Sequence, residues 1–382
     1  MKKIILCILV LNFLTFKINE VHAEEASIPE IESEAAILID SKTGAILYEK
    51  NAKNKMFPAS LTKIATAIYA IETGNLDDVV TVSKEAASTD GTSVFLEEGE
   101  QVPLMKLIQG MLINSGNDAA MAIAEHLDGS IDIYEEKINQ YLQEKVNVKN
   151  THFTNPHGLF DEDHYTTAED LALITNYALK NETFRNIYGT KELTWSGESW
   201  DTTLLTHHLM LKGEIPYETV IGGKTGYVQE SKYTLATTAK KDDLELTAII
   251  LKGENDKVIY NDTKNLFDYG FNQFKHSIIS KSDEFITEGK SYTTGLKDVM
   301  VTVPKSSYEK KITADGKLNF TNAEGEIIQT IQLLENKKMQ TVSNHQVIKK
   351  DENKTMGIYG IFAFFLFILG GLVIGASKKI KR

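Results

Sequence analysis

Short β-like segments stand on both sides of a long, mostly helical stretch, and this arrangement restricts the fold more than any other feature of the 382-residue chain. Near the beginning, apolar residues from Ala35 to Ile39, a turn at Ser41-Lys42-Thr43-Gly44, and apolar Ala45-Ile46-Leu47-Tyr48 read as a hairpin. Three more β-like segments come much later, at residues 219–224, 233–239 and 244–251, the last two separated by the polar turn Lys240-Lys241-Asp242-Asp243. Between the two groups, Leu61, Ile64, Ala65, Ile68 and Ile71 recur at helical spacing after Pro58-Ala59-Ser60, and Gly74 stands at the C-terminal end. A second helix is predicted from Pro103 through Ile113, a break at 114–117, and a third from Ala119 to Leu127 with Asp118 as its cap. An amphipathic helix at about 256–274 follows the last strand. The expected fold is therefore α/β (α+β): one antiparallel central sheet completed by both ends of the segment, with helices packed on it.

The flanks differ in character. Residues 275–336 are short alternating segments, such as Val299-Met300-Val301-Thr302-Val303, with a hairpin turn at Asp315-Gly316, and predict a small all-β domain. Residues 337–355 are polar and poor in apolar clusters, as in a tether. From Ile358 to Ala376 the chain is uncharged and apolar or small, long enough for a single transmembrane helix over 356–377. The basic tail 378–382 is then expected on the cytoplasmic side. At the other end Lys2-Lys3, an apolar run too short to span a bilayer, and Val21-His22-Ala23 read as a signal peptide, 1–23. Both ends place residues 24–355 outside the membrane, and the single anchor suggests a Gram-positive-type envelope.

Composition excludes several chemistries. The one cysteine, Cys7, lies in the leader, so disulfides and thiol catalysis are not expected of the mature chain. The net charge is −12, and without the leader and the four terminal cations the outer part carries about −18. Such a surface repels phosphate backbones, so nucleic acid is not an expected partner. The histidines His152, His157, His164, His207 and His208 lack zincin spacing and are expected to be structural or at the surface, and no metal or other cofactor is expected.

Three short patterns carry chemistry. Ser60-Leu61-Thr62-Lys63 puts a hydroxyl in the first turn of a helix and an amine three residues on, on the same face. Such an amine can take the hydroxyl proton only if burial or a second cation lowers its pKa. The helix N-terminus adds N–H groups where an oxyanion can form. Ser115-Gly116-Asn117 occupies the break between two helices, where two short polar side chains can face a cleft. Gly222-Gly223-Lys224-Thr225-Gly226 ends a predicted strand with a cation and a hydroxyl suited to a carboxylate, and with a glycine that lets substrate approach. Each pattern alone is common; the three in this order are not.

Together with Phe57-Pro58-Ala59-Ser60, Asn114 to Ala119, Thr151 to Leu159 and His164 to Leu171, they make residues from about 31 to 274 resemble the low-molecular-mass penicillin-binding proteins of the D-alanyl-D-alanine carboxypeptidase family. The resemblance implies the penicillin-binding/β-lactamase-like transpeptidase fold over 24–274. It implies removal of the terminal D-alanine from peptidoglycan stem peptides ending in D-Ala-D-Ala, with β-lactam antibiotics as acylating ligands. Carried over by position, Ser60 forms the acyl-enzyme, Lys63 is its base and Ser115 relays a proton to the leaving amine. Asn117 binds the substrate amide, Lys224 and Thr225 hold the terminal carboxylate beside Gly226, and the N–H groups of Ser60 and Tyr227 receive the oxyanion. Two departures bear on substrate preference: Thr206-His207-His208 stands where the family has an asparagine-rich segment, and Ser231-Lys232 replaces an Ala-Gly pair. Alternatives of related fold are a class A-like β-lactamase, with Glu169 the nearest candidate for activating the deacylating water, and a weakly catalytic penicillin-binding sensor or wall-binding protein.

Overall fold

The structure, a computed structural model, describes residues 28–198 and 200–336. The leader 1–23, the tether 337–355, the membrane span 356–377 and the tail 378–382 expected from the sequence lie outside the described residues. No helix among the described residues is long and apolar enough to cross a membrane.

Strands β1 (Ala35–Asp40), β2 (Ile46–Lys50), β3 (Val220–Val228), β4 (Lys232–Lys241) and β5 (Leu244–Gly253) form one sheet in the order β2-β1-β5-β4-β3. Every pairing is antiparallel, so β1 pairs with β5 across the whole helical insertion, Ile37 opposite Ile249. The central strands β1, β4 and β5 are nearly continuous apolar or threonine-rich runs because both faces are covered. One face packs on helices α1 (Thr62–Thr73), α2 (Leu104–Ile113), α3 (Asn117–Asp128) and α4 (Ala168–Ala178), through Ile37, Ile64, Ile68, Ile108, Ile123 and Ile249. The other face packs on α5 (Asp256–Gln273), through Leu38, Leu246, Ile250, Leu266 and Phe267. The apolar stripes at helical spacing therefore face the sheet as expected.

Two expectations are corrected. Strand β3 does not stop at Lys224 but continues to Val228, so Lys224, Thr225 and Gly226 lie inside the edge strand, where register with Ala236, Leu235 and Thr234 fixes them. Asp118 does not cap the third helix: the helix begins at Asn117 with Gly116 as its N-cap, and the Asp118 carboxylate instead accepts from Ser93 Oγ (2.6 Å), Val94 N (3.1 Å) and Leu96 N (3.1 Å). A hairpin of Glu192–Ser196 and Asp201–Leu205, unforeseen in the sequence, inserts Trp195 into the helical core.

From Phe274 the described chain is strand and turn, with a small core of its own around Val301, Val303, Leu318 and Phe320. It meets the central sheet through the fully buried Asp40, whose Oδ2 accepts from Thr302 Oγ1 (3.0 Å) and lies 2.7 Å from His276 Nε2.

Candidate active site

Ser60 lies in a single 3-10 turn, Ala59–Leu61, that leads directly into α1. The backbone before it is strained: Ala59 has φ +49, a left-handed value that residues with a side chain rarely adopt. Several contacts hold it there. Thr234 Oγ1 donates to Pro58 O (3.0 Å), tying the turn to β4. The Ala59 carbonyl accepts from Thr62 Oγ1 (2.9 Å), and Thr62 Oγ1 lies 2.8 Å from His164 Nε2. Because His164 Nδ1 accepts from Thr154 N (3.0 Å), the ring proton belongs on Nε2, and the chain of donors runs from Thr154 through His164 and Thr62 to the Ala59 carbonyl. Gly158, at φ +85, passes so close that a Cβ there would lie 1.9 Å from the Ala59 oxygen; no other residue fits.

Lys63, one helical turn after Ser60, is completely buried. Its Nζ lies 2.9 Å from Ser60 Oγ, 2.7 Å from Asn117 Oδ1 and 2.7 Å from the His157 carbonyl oxygen. The last two atoms only accept, since Asn117 Nδ2 is engaged with the Asp90 carbonyl (2.7 Å). A neutral amine has two protons and one lone pair. With both protons given to Asn117 and His157, the lone pair faces Ser60 Oγ, the geometry a base needs to take the hydroxyl proton. Burial, then the positive charge of Lys224, lower the Lys63 pKa well below the ordinary lysine value, while Asp118 opposes them.

The second lysine closes the other wall. Lys224 Nζ donates to Ser115 Oγ (2.9 Å) and to the Thr225 carbonyl (2.8 Å), and burial lowers its pKa to about 7. Ser115, itself at φ +64, thus has its hydroxyl directed at this amine. Strand β3 runs past the nucleophile at van der Waals limit: a Cβ on Gly226 would lie 2.8 Å from Ser60 N. Ser60, Ser115, Thr225, Gly226 and Tyr227 line one cleft of about 340 Å³. All eight residues singled out in the sequence are therefore in or directly beneath that cleft, with Asn117 underneath, bonded to Lys63 rather than open to the cavity.

The adjacent histidines diverge. His208 is buried under Gly223, accepts from Leu211 N (3.1 Å) and lies 2.8 Å from Thr237 Oγ1, so it is structural as expected. His207 is at the surface, as expected, and lines the cleft; desolvation together with Lys224, Lys212 and Lys63 lowers its pKa to about 4. Glu169 lies in the first turn of α4, with its N–H on the Ala52 carbonyl (3.0 Å), and is not among the residues lining the cleft. Among the described residues no three His, Cys, Asp or Glu side chains are grouped to hold a metal ion.

A family model described as D-alanyl-D-alanine carboxypeptidase, peptidase S11, matches residues 22–255. The chain belongs to this family. Relatives of the D-alanyl-D-alanine carboxypeptidase family include DacF of Bacillus subtilis, 34% identical over 266 residues that cover 68% of this chain and 67% of DacF. DacA of Escherichia coli is 32% identical over 323 residues, 75% of this chain and 76% of DacA. Among solved carboxypeptidase-family structures, penicillin binding protein 5 from Haemophilus influenzae superposes with a TM-score of 0.69 at 25% identity, over 81% of this chain and 98% of that one.

Proposed function

We propose that this protein is a serine-type D-Ala-D-Ala carboxypeptidase acting on peptidoglycan stem peptides. The observation that carries the reading is the lone-pair geometry at Lys63, with two acceptor-only partners on one side and Ser60 Oγ on the other. Lys63 takes the Ser60 proton as Oγ attacks the carbonyl carbon of the penultimate D-alanine. The negative charge that develops on the carbonyl oxygen falls to the N–H groups of Ser60 and Tyr227. Ser115, bonded to Lys224, delivers a proton to the leaving nitrogen, the C–N bond breaks and free D-alanine departs. Lys224 and Thr225 hold the substrate carboxylate before that step. Water then attacks the ester by the same base and releases the shortened peptide. Asn117 acts by orienting Lys63 from beneath the cleft.

A β-lactam, whose ring amide stands in for the scissile bond, acylates the same serine. The apolar segment 356–377 anchors the protein, and the leader 1–23 directs it outward, so the catalytic cleft faces the wall. The test is acylation by a labelled penicillin followed by peptide mapping. One label per chain on the peptide containing Ser60 supports the reading, and a label elsewhere, or none on folded protein, contradicts it.

A further inference from the structure

Next to the catalytic cleft, the loop of residues 92–97 presents an aromatic ring to solvent at a conformational cost. Thr92 lines the cleft, and its carbonyl accepts from Asn117 N (2.7 Å). Immediately afterwards the buried Asp118 carboxylate gathers Ser93 Oγ, Val94 N and Leu96 N. Phe95, between these anchored residues, has φ +59 and is 61% exposed. A bulky residue in the left-handed region costs about 1 kcal/mol or more, and such strain persists only where neighbouring contacts impose it. A turn without a task there favours Gly or Asn. The Phe95 ring meets Trp200 edge to face at 5.0 Å, and the Trp200 indole N–H donates to the Val94 carbonyl (2.8 Å), so both rings are fixed to the same loop. With Ser93, Leu96 and Glu97 they line a shallow groove.

We propose that this groove is a saccharide-binding platform that holds the glycan of the wall substrate while its peptide occupies the cleft. The inference rests on the carboxypeptidase reading of the substrate. A pyranose ring has an apolar face that stacks on an exposed aromatic side chain and an equatorial rim of hydroxyls that donate to a carboxylate; the Phe95–Trp200 pair and Glu97 supply both. The surroundings disfavour an anionic partner, since Glu97 lines the groove and the outer part of the chain is strongly acidic. Three chain steps, at most about 10 Å, lead from the cleft-lining Thr92 to Phe95, a span that suits a ligand carrying sugar and peptide in one molecule.

The full chain has two tryptophans, and Trp195 is buried in the core, so fluorescence changes on ligand addition report Trp200. Titration with a β-1,4-linked tetramer of N-acetylglucosamine is expected to give a saturable change that weakens several-fold in Phe95→Ala and survives in Phe95→Tyr. In parallel, D-alanine release is compared for a stem peptide and the same peptide linked to its disaccharide. The wild type is expected to show a several-fold lower KM for the linked form, and Phe95→Ala to bring the two to parity with free-peptide kinetics unchanged. No saturable change and no preference overturns the platform. Equal loss on both substrates in Phe95→Ala also overturns it, because the loop then only shapes the cleft. So does a response to anionic lipid vesicles without one to the saccharide. Saccharide binding with no D-alanine release from either peptide overturns the carboxypeptidase reading instead and leaves the platform standing.

Discussion

The side-chain nitrogen of Lys63 lies 2.7 Å from the amide oxygen of Asn117, an atom that can only accept, and this contact decides where the lysine's lone pair points. Asn117 is itself held by the Asp90 carbonyl, so the catalytic amine is oriented by a residue 54 positions away.

Replacing Asn117 by Ala is therefore expected to impair the proton transfer and not only substrate contact. The expected loss in the rate of penicillin acylation is about 10²-fold or more, measured by stopped-flow under saturating β-lactam. A variant that loses only affinity, with the saturated rate intact, would limit Asn117 to binding.

The acid limb of activity follows from the two lysines. Catalysis needs Lys63 neutral, and its pKa lies well below the ordinary lysine value, so kcat/KM should rise with pH through a midpoint far below 10. Lys63 and Lys224 titrate as a coupled pair, so the limb belongs to both. The Asp118 carboxylate favours the charged Lys63, so Asp118→Asn should move the limb to lower pH. The same substitution weakens the acceptor for Ser93, Val94 and Leu96 and should cost about 1–3 kcal/mol of stability. The pH–rate profile separates the two effects.

Folding stability should fall in acid for a different reason. Burial lowers the pKa of both His157 and His164 to about 3, against an ordinary value of 6.5. The unfolded chain therefore binds more protons between these values. The stability from the two neutral rings is fully present above pH 6.5 and declines as pH falls toward 3. Denaturant titrations across this window should show the slope, and His164→Gln should remove about one proton from it.

Much of the site is legible in the sequence because its chemistry is local. Ser60 and Lys63 meet through helical spacing, and Lys224, Thr225 and Gly226 follow one another at a strand recognisable in the sequence, whose continuation to Val228 is set by pairing with its neighbour. What stays hidden is set by long-range packing. The His157 carbonyl under Lys63, 94 residues away, has no residue-type signature, because any residue has a carbonyl. Asp118 resembles a helix cap, and only the path of residues 93–96 across it makes it a clamp on that loop. His207 and His208 are indistinguishable by type, and the anchoring of His208 on Thr237 and Leu211 turns its neighbour toward the cleft. The cue that was available for Gly158 is its position after Asn155-Pro156-His157, a turn composition, although not the contact it makes with Ala59.

That contact gives a further prediction. Gly158→Ala must displace the Ala59 carbonyl from beneath the nucleophile and adopt a left-handed backbone with a side chain. The expected destabilisation is about 3 kcal/mol or more, read as a shift in the denaturation midpoint, accompanied by slower acylation of Ser60 in the fraction that folds.

The most direct test of the central claim is D-alanine release from a peptide ending in D-alanyl-D-alanine, measured for the wild-type chain and Ser60→Ala under identical conditions. The account predicts steady release by the wild type and none above background by the variant, whose fold, checked by its denaturation curve, remains intact. Release that persists in Ser60→Ala would contradict it.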